Sequence, residues 1–179
     1  EATIHRPGGC RIGKRPIDIH INGLEELGFQ VSDEDGTIRC SGTCCGGEIT
    51  LPYPSVGATE NLIMAALSGK KDTIIKNCAT EPEIADFAEF LKTCGFQVHG
   101  AGTDTIFIQG GAFAHRADVM YFIMEDRIEA ATYMMAVLGT GGKAAFRNIR
   151  PELMKSVFTV LERMGARIRA SCDVVEVSA

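Results

Sequence analysis

"EPEIADFAEFLKTCGFQVHGAGTDTIFIQG", residues 81–110, decides the fold. Pro82 stands where a helix would begin, at a position whose missing amide costs nothing. Ile84, Phe87, Ala88 and Leu91 then recur at the spacing of one helical face. Gly95 supplies the expected C-terminal stop. The pieces "FQVHG" and "TIFIQG" that follow alternate as two short strands do. The stretch predicts one helix followed by two strands.

The same pattern occurs twice more, in "RPIDIHINGLEELGFQVSDEDGTIRCSG" (15–42) and "RPELMKSVFTVLERMGARIRASCDVVEVSA" (150–179). The helix-ending glycines Gly28, Gly95 and Gly165 stand 67 and 70 residues apart. That period belongs to a unit larger than a solenoid repeat. A second kind of helix lies between the copies, in "SVGATENLIMAALSG" (55–69) and "DRIEAATYMMAVLGT" (126–140). Each precedes a strand, "DTIIKNC" (72–78) and "KAAFRNI" (143–149). A full unit therefore reads helix, strand, helix, strand, strand, which is an α/β fold with several sheets around shared helices. The helix at 57–69 has few polar positions and is expected to be buried on most sides. Two units are complete and one begins partway through, as in a chain cut from something longer.

Composition sets the class. With 45% hydrophobic and 23% charged residues, the chain is a soluble, core-forming protein whose core, lacking Trp, is aliphatic and Met-rich. Its apolar runs fall short of the roughly 20 residues of a membrane span, and "EATIHRPGG" lacks a signal-type apolar stretch. A net charge of -5 and a pI near 5.4 argue against broad nucleic-acid binding. Seven cysteines, an odd number without regular spacing, fit a reducing compartment. A cytoplasmic location is the expectation. "CSGTCC" (40–45) lacks the second ligand pair that zinc requires, so no metal site is expected. Cys78, Cys94 and Cys172 read as small buried hydrophobes, and most cysteines other than Cys10 are expected to be buried.

Cys10 is different. In "RPGGCRIGKRPIDIH" (6–20) it is surrounded by Arg6, Arg11, Lys14 and Arg15, and cations lower a thiol pKa. Gly8, Gly9 and Gly13 would let such a loop fold over a ligand. These residues alone leave two readings open, a catalytic lid or a basic surface loop with an incidental cysteine. Glu81 and Glu83 are read as first-turn acids that stabilise a helix rather than as an acid–base pair.

Together, "PGGCRIGKRPIDIHINGLEELG", "PSVGATENLIMAAL", "EPEIADFAEFL", "GAGTDTIFIQG" and "DRIEAATYMMA" resemble the UDP-N-acetylglucosamine 1-carboxyvinyltransferase family of enolpyruvyl transferases. The resemblance implies an inside-out α/β barrel in two domains of three units each. Residues 1–125 would be part of the catalytic-loop domain, with one partial and one complete repeat. Residues 126–179 would be a further repeat opening the second domain. The chain would be the central part of a longer enzyme. Its implied reaction moves the enolpyruvyl group of phosphoenolpyruvate onto UDP-N-acetylglucosamine, without a cofactor, as the first committed step of peptidoglycan synthesis. Both substrates are small molecules. Neither nucleic acid nor membrane is an expected partner.

By resemblance, Cys10 is the catalytic acid, forms a covalent phospholactoyl adduct and is the target of fosfomycin. Arg15, Pro16, Asp18 and His20 match positions that hold the uracil and diphosphate of the sugar nucleotide. Ser55, Val56 and Gly57 stand at a helix entrance, where free amides favour an anion. Without the resemblance, Asp18, His20 and Ser55 would pass as ordinary helix-start residues. "DRIE" (126–129) matches the family's inter-domain region. The chain departs from the family pattern at Tyr53, Thr80, Glu125, Ala130 and Ala131. A non-catalytic nucleotide-sugar-binding or regulatory domain derived from this family is the alternative expectation.

Overall fold

In the computed structural model, residues 1–5, 16–111, 118–172 and 174–179 are described. They form two compact units, Glu1–Phe122 and Ile123–Ala179. The first contains β1 (Ala2–His5), α1 (Asp18–Glu26), β2 (Phe29–Glu34), β3 (Thr37–Gly42), β4 (Gly47–Thr50), α2 (Val56–Leu67), β5 (Thr73–Lys76), α3 (Pro82–Thr93), β6 (Val98–His99) and β7 (Thr105–Ile108). The second contains α4 (Arg127–Gly139), β8 (Lys143–Arg147), a 3-10 turn (Pro151–Met154), α5 (Lys155–Arg163), β9 (Arg167–Ser171) and β10 (Val174–Ser178).

The repeat read from the sequence is present in three dimensions. Each copy is a strand, a helix and a hairpin, and the last strand of the hairpin lies in the middle of its sheet. The strand orders are β1-β3-β2, β5-β7-β6 and β8-β10-β9, with every pair antiparallel. The four-stranded sheet adds β4, parallel to β5. The predicted stops Gly28, Gly95 and Gly165 have φ of 99°, 100° and 104°. A side chain is rarely accommodated there, so glycine is what lets all three helices turn into their hairpins. Asn77 and Asn148, with φ of 55° and 56°, follow β5 and β8 at matching places.

The details depart from expectation in identifiable ways. Pro82 is the first residue of α3 as expected, but Pro16 precedes Ile17, the N-cap of α1, and Pro151 opens the 3-10 turn. That turn carries Met154 fully into the core. β1 and β4 escape an alternation reading because every residue of β1 is exposed and β4 buries only Ile49. Cysteine burial needs a larger correction. Only Cys44 and Cys78 of the six described are buried, while Cys40 and Cys94 are half-buried and Cys45 and Cys172 exposed. Cys172 sits where β9 turns into β10 and Cys94 caps α3, so neither lies on an inward face.

In the first unit α1, α2 and α3 share one core with both sheets, including Leu27, Leu62, Ile63, Ile75, Ile84 and Ile106. α2 packs on α1, on α3 and on β5 and β7. Ala58, Thr59, Leu62, Ile63 and Ala66 are buried along it, whereas Asn61 and Met64 are exposed. The buried Thr59 hydroxyl accepts from the Ala79 amide at 3.1 Å, which satisfies both groups. α1 approaches α2 at Gly23, where an added β-carbon would lie 2.7 and 2.8 Å from the Leu62 δ-carbons. The second unit has its own core, with Met134, Met154, Leu161, Val175 and Val177. Its α4 packs on β8 and β10 but leaves Ile128, Tyr133 and Met135 exposed. Among the described residues, no helix is long and apolar enough to cross a membrane.

Gly23→Val should therefore cost about 1–3 kcal/mol, because Leu62 is fully buried and has little room to move away. Gly139→Ala, at a helical site with nothing within 4 Å, should be neutral or stabilising. Urea unfolding of both variants checks the pair of expectations. Equal stabilities would show that the α1–α2 approach is not tightly packed.

Candidate functional site

The first turns of α1 and α2 meet at one imidazole. His20 lies on the first turn of α1, and its Nδ1 is 2.7 Å from Asn61 Nδ2 on α2. An ideal β-carbon on Gly57 would lie 3.4 Å from His20 Cε1 and 3.8 Å from Nε2, so that edge of the ring covers Gly57. Gly57 and Asn61 are four residues apart on one helix and share a face. Two of the expected site segments, "RPIDIH" and "PSVGAT", are thereby brought together. Asn61 was not among the expected residues. Its alignment with Gly57 is legible in the sequence, but its partner on α1 is not.

Ser55 is the N-cap of α2, and its hydroxyl accepts from the Ala58 amide at 3.3 Å. Ordinary capping thus accounts for the Ser55 side chain. Val56 and Gly57 follow immediately, where first-turn amides have no acceptor within the helix. Asp18 is the exposed first residue of α1, where the helix dipole favours an acid. Pro16 is also exposed. Cys10 and Arg15 lie outside the described residues. The link that carries them joins β1 to α1 and runs through residues 6–17, whereas the equivalent links in the other copies are 77–81 and 148–150. The extra chain of this family of links is thus concentrated in the first copy, immediately before α1. Between α1 and the β1-β3-β2 sheet lies an apolar groove of about 280 Å³, lined by Ile4, Ile17, His20, Leu24, Ile38 and Cys40 among others.

The remaining candidates resolve by environment. Burial, reinforced by the charge of Asp104, pushes the Cys78 thiol up to about 11, so it is a poor nucleophile. Glu81 occupies the N-cap position of α3 and Glu83 its first turn, as helix-stabilising acids do. In "DRIE", Asp126 caps α4 by accepting from the Ile128 and Glu129 amides, both at 2.9 Å. Tyr53 and Thr80 are exposed, Ala131 is half-buried and Ala130 is buried in the second core. Glu125 has a defined role: its Oε1 accepts from both the backbone amide and Nε of Arg150, each at 2.8 Å. That contact ties the segment before α4 to the turn after β8. The Arg150 hydrogen bond is also the main reason its carboxyl pKa falls to about 2. Among the described residues, no group of three or more His, Cys, Asp or Glu is placed to hold a metal ion.

Residues 2–179 match the model of the EPSP synthase family (3-phosphoshikimate 1-carboxyvinyltransferase), and the chain belongs to that family. Within it, the chain is similar to curated proteins named UDP-N-acetylglucosamine 1-carboxyvinyltransferase. The one from Kosmotoga olearia is 42% identical over 181 residues, covering 99% of this chain and 42% of the relative. The one from Tolumonas auensis is 42% identical over 175 residues, covering 97% of this chain and 41% of the relative. The chain thus spans about two fifths of these relatives' length. The enolpyruvyl transferase NikO from Streptomyces tendae superposes with a TM-score of 0.76 at 18% identity, over 92% of this chain and 42% of its own. EPSP synthase from Acinetobacter baumannii gives 0.61 at 21% identity, over 98% and 42%. At those identities the structural likeness speaks for the α/β fold alone.

The folded-state pKa of Glu125 lies below its ordinary value of 4.5, so the Arg150 contact stabilises the second unit above about pH 4.5. That contribution is lost as pH falls toward 2. Wild type should therefore be more stable than Glu125→Gln at pH 7, with the difference fading through this window. Denaturant unfolding at several pH values measures it, and a difference that does not change with pH would contradict the assignment.

Proposed function

We propose that this chain carries the catalytic loop and part of the nucleotide site of an enzyme that transfers the enolpyruvyl group of phosphoenolpyruvate to UDP-N-acetylglucosamine, releasing phosphate. The observation that carries this reading is the convergence of His20 on the first turn of α2 at Gly57. It places two segments of the resemblance side by side, in a chain 42% identical to relatives named for this reaction. Residues 1–125 then belong to the catalytic-loop domain and 126–179 open the second. The reaction belongs to peptidoglycan synthesis in the cytoplasm.

The residues suit the chemistry. Phosphoenolpyruvate and a nucleoside diphosphate sugar are both multiply anionic, and Arg6, Arg11, Lys14 and Arg15 concentrate positive charge beside Cys10. In the addition half, the Cys10 thiol gives its proton to the methylene carbon as the sugar hydroxyl attacks the neighbouring carbon and passes its own proton to a base. In the elimination half, the new methyl group loses a proton and the bond to phosphate breaks, restoring the double bond. The same thiol, as thiolate, is the nucleophile for the covalent adduct and for fosfomycin. Arg15, Pro16, Asp18 and His20 hold the uridine diphosphate end, with Ser55, Val56 and Gly57 supplying the amides of a helix entrance.

Much of the barrier reduction in such a reaction comes from holding charged substrates in place. A chain spanning two fifths of its relatives' length should therefore release phosphate far more slowly than the roughly 1–1,000 per second of typical enzymes. A rate within that range would overturn this division of the site.

Cys10 should react with an alkylating reagent at a pH about one unit or more below the ordinary thiol value of roughly 8.5. Replacing Arg11, Lys14 and Arg15 by neutral residues should raise the midpoint. Peptide mapping after limited alkylation reads both results. If the exposed Cys45 or Cys172 labels first at every pH, or the triple replacement leaves the midpoint unmoved, the electrostatic role of the loop fails.

A further inference from the structure

The His20–Asn61 pair adds a component that neither "RPIDIH" nor "PSVGAT" specifies. We infer that Asn61 is a positioning residue that holds the His20 imidazole as the Nε2–H tautomer, presenting that N–H beside the first turn of α2. The inference rests on the nucleotide-site reading above for its use, and on the pair's own geometry for its existence. An amide NH2 can only donate, and Asn61 Nδ2 lies 2.7 Å from His20 Nδ1. With that NH2 facing it, the contact is a hydrogen bond when Nδ1 offers its lone pair, and the single proton of a neutral ring is then on Nε2. The Cε1–Nε2 edge covers Gly57, so the N–H lies beside the first turn of α2 at that residue. A phosphate oxygen seated at that turn would meet this N–H as a further donor. Swapping the tautomer would turn this donor into a lone pair facing an anion. The role is one of orientation, because Asn61 fixes which nitrogen of His20 carries the proton.

The test uses this chain with UDP as the probe, at a pH of about 8.5, above the ordinary histidine range. Long-range nitrogen–proton NMR distinguishes a protonated from a bare ring nitrogen, and His20→Gln identifies the His20 signals. Wild type should show a bare Nδ1 and a protonated Nε2. Asn61→Ala should give a mixture of tautomers. Asn61→Asp keeps the shape but presents only acceptors, so it should invert the pair to Nδ1–H and bare Nε2. Asn61 is exposed, so both variants should keep the wild-type fold, which circular dichroism checks. UDP should bind Asn61→Asp roughly tenfold more weakly than wild type, since a donor to an anion is replaced by a lone pair. A wild-type ring protonated on Nδ1, or an unchanged tautomer in Asn61→Asp, overturns the inference. So does equal binding of UDP to wild type and both variants. Failure of UDP to bind the wild type counts against the nucleotide-site reading itself, and the NMR result still decides whether Asn61 sets the tautomer.

Discussion

Leu62 occupies the space that Gly23 leaves empty, and the first unit depends on that substitution of side chain for hydrogen. A larger residue at position 23 would meet the Leu62 side chain, so that side chain or the helix crossing would have to shift. His20 lies one turn before Gly23 on α1, and Asn61 directly precedes Leu62 on α2. The hydrogen bond between His20 and Asn61 is thus held at the separation that the Gly23–Leu62 contact imposes. Packing in the core and geometry at the surface are set by the same helix crossing. The nonpolar contact does the positioning, and the polar groups use it.

The three-fold repeat was legible because its punctuation is conformational. Gly28, Gly95 and Gly165 all need positive φ, a demand that the sequence can meet only with a few residue types. The helices between them show periodicity over enough residues for the pattern to rise above chance. β1 and β4 were illegible for the opposite reason, since β1 has no buried face and β4 buries only Ile49, so neither carries the alternation of the equally short β5 and β7. Pro16 misled slightly: proline marks the neighbourhood of a helix start, and here the helix begins beyond it. Cys172 misled more, because hydrophobic character says nothing about whether a turn brings a residue to the surface.

The site divides along similar lines. Ser55, Val56 and Gly57 announce a helix entrance by residue type, and the structure puts them there. The proximity of His20 to that entrance follows from a tertiary crossing, which no local window contains. Asn61 and the Glu125–Arg150 contact belong to this second class, because each joins residues far apart in the chain. Glu125 is instructive, since it first drew attention as a departure from a family pattern. Its carboxylate engages both a backbone amide and a guanidinium of one residue.

The two helices that precede β5 and β8 occupy matching places in their repeats and meet different surroundings. α2 is enclosed by helices on either side as well as by its sheet, whereas α4 leaves Ile128, Tyr133 and Met135 facing outward. Scattered apolar residues are common on protein surfaces, but several large ones on one short helix lower the concentration at which a protein stays dispersed. The first unit also exposes large apolar side chains, Tyr53, Met64 and Phe90 among them, so dispersion depends on the surfaces of both units. A polar substitution at Ile128 or Met135, which share one face of α4, would reduce exposed apolar surface without changing the residues of either core.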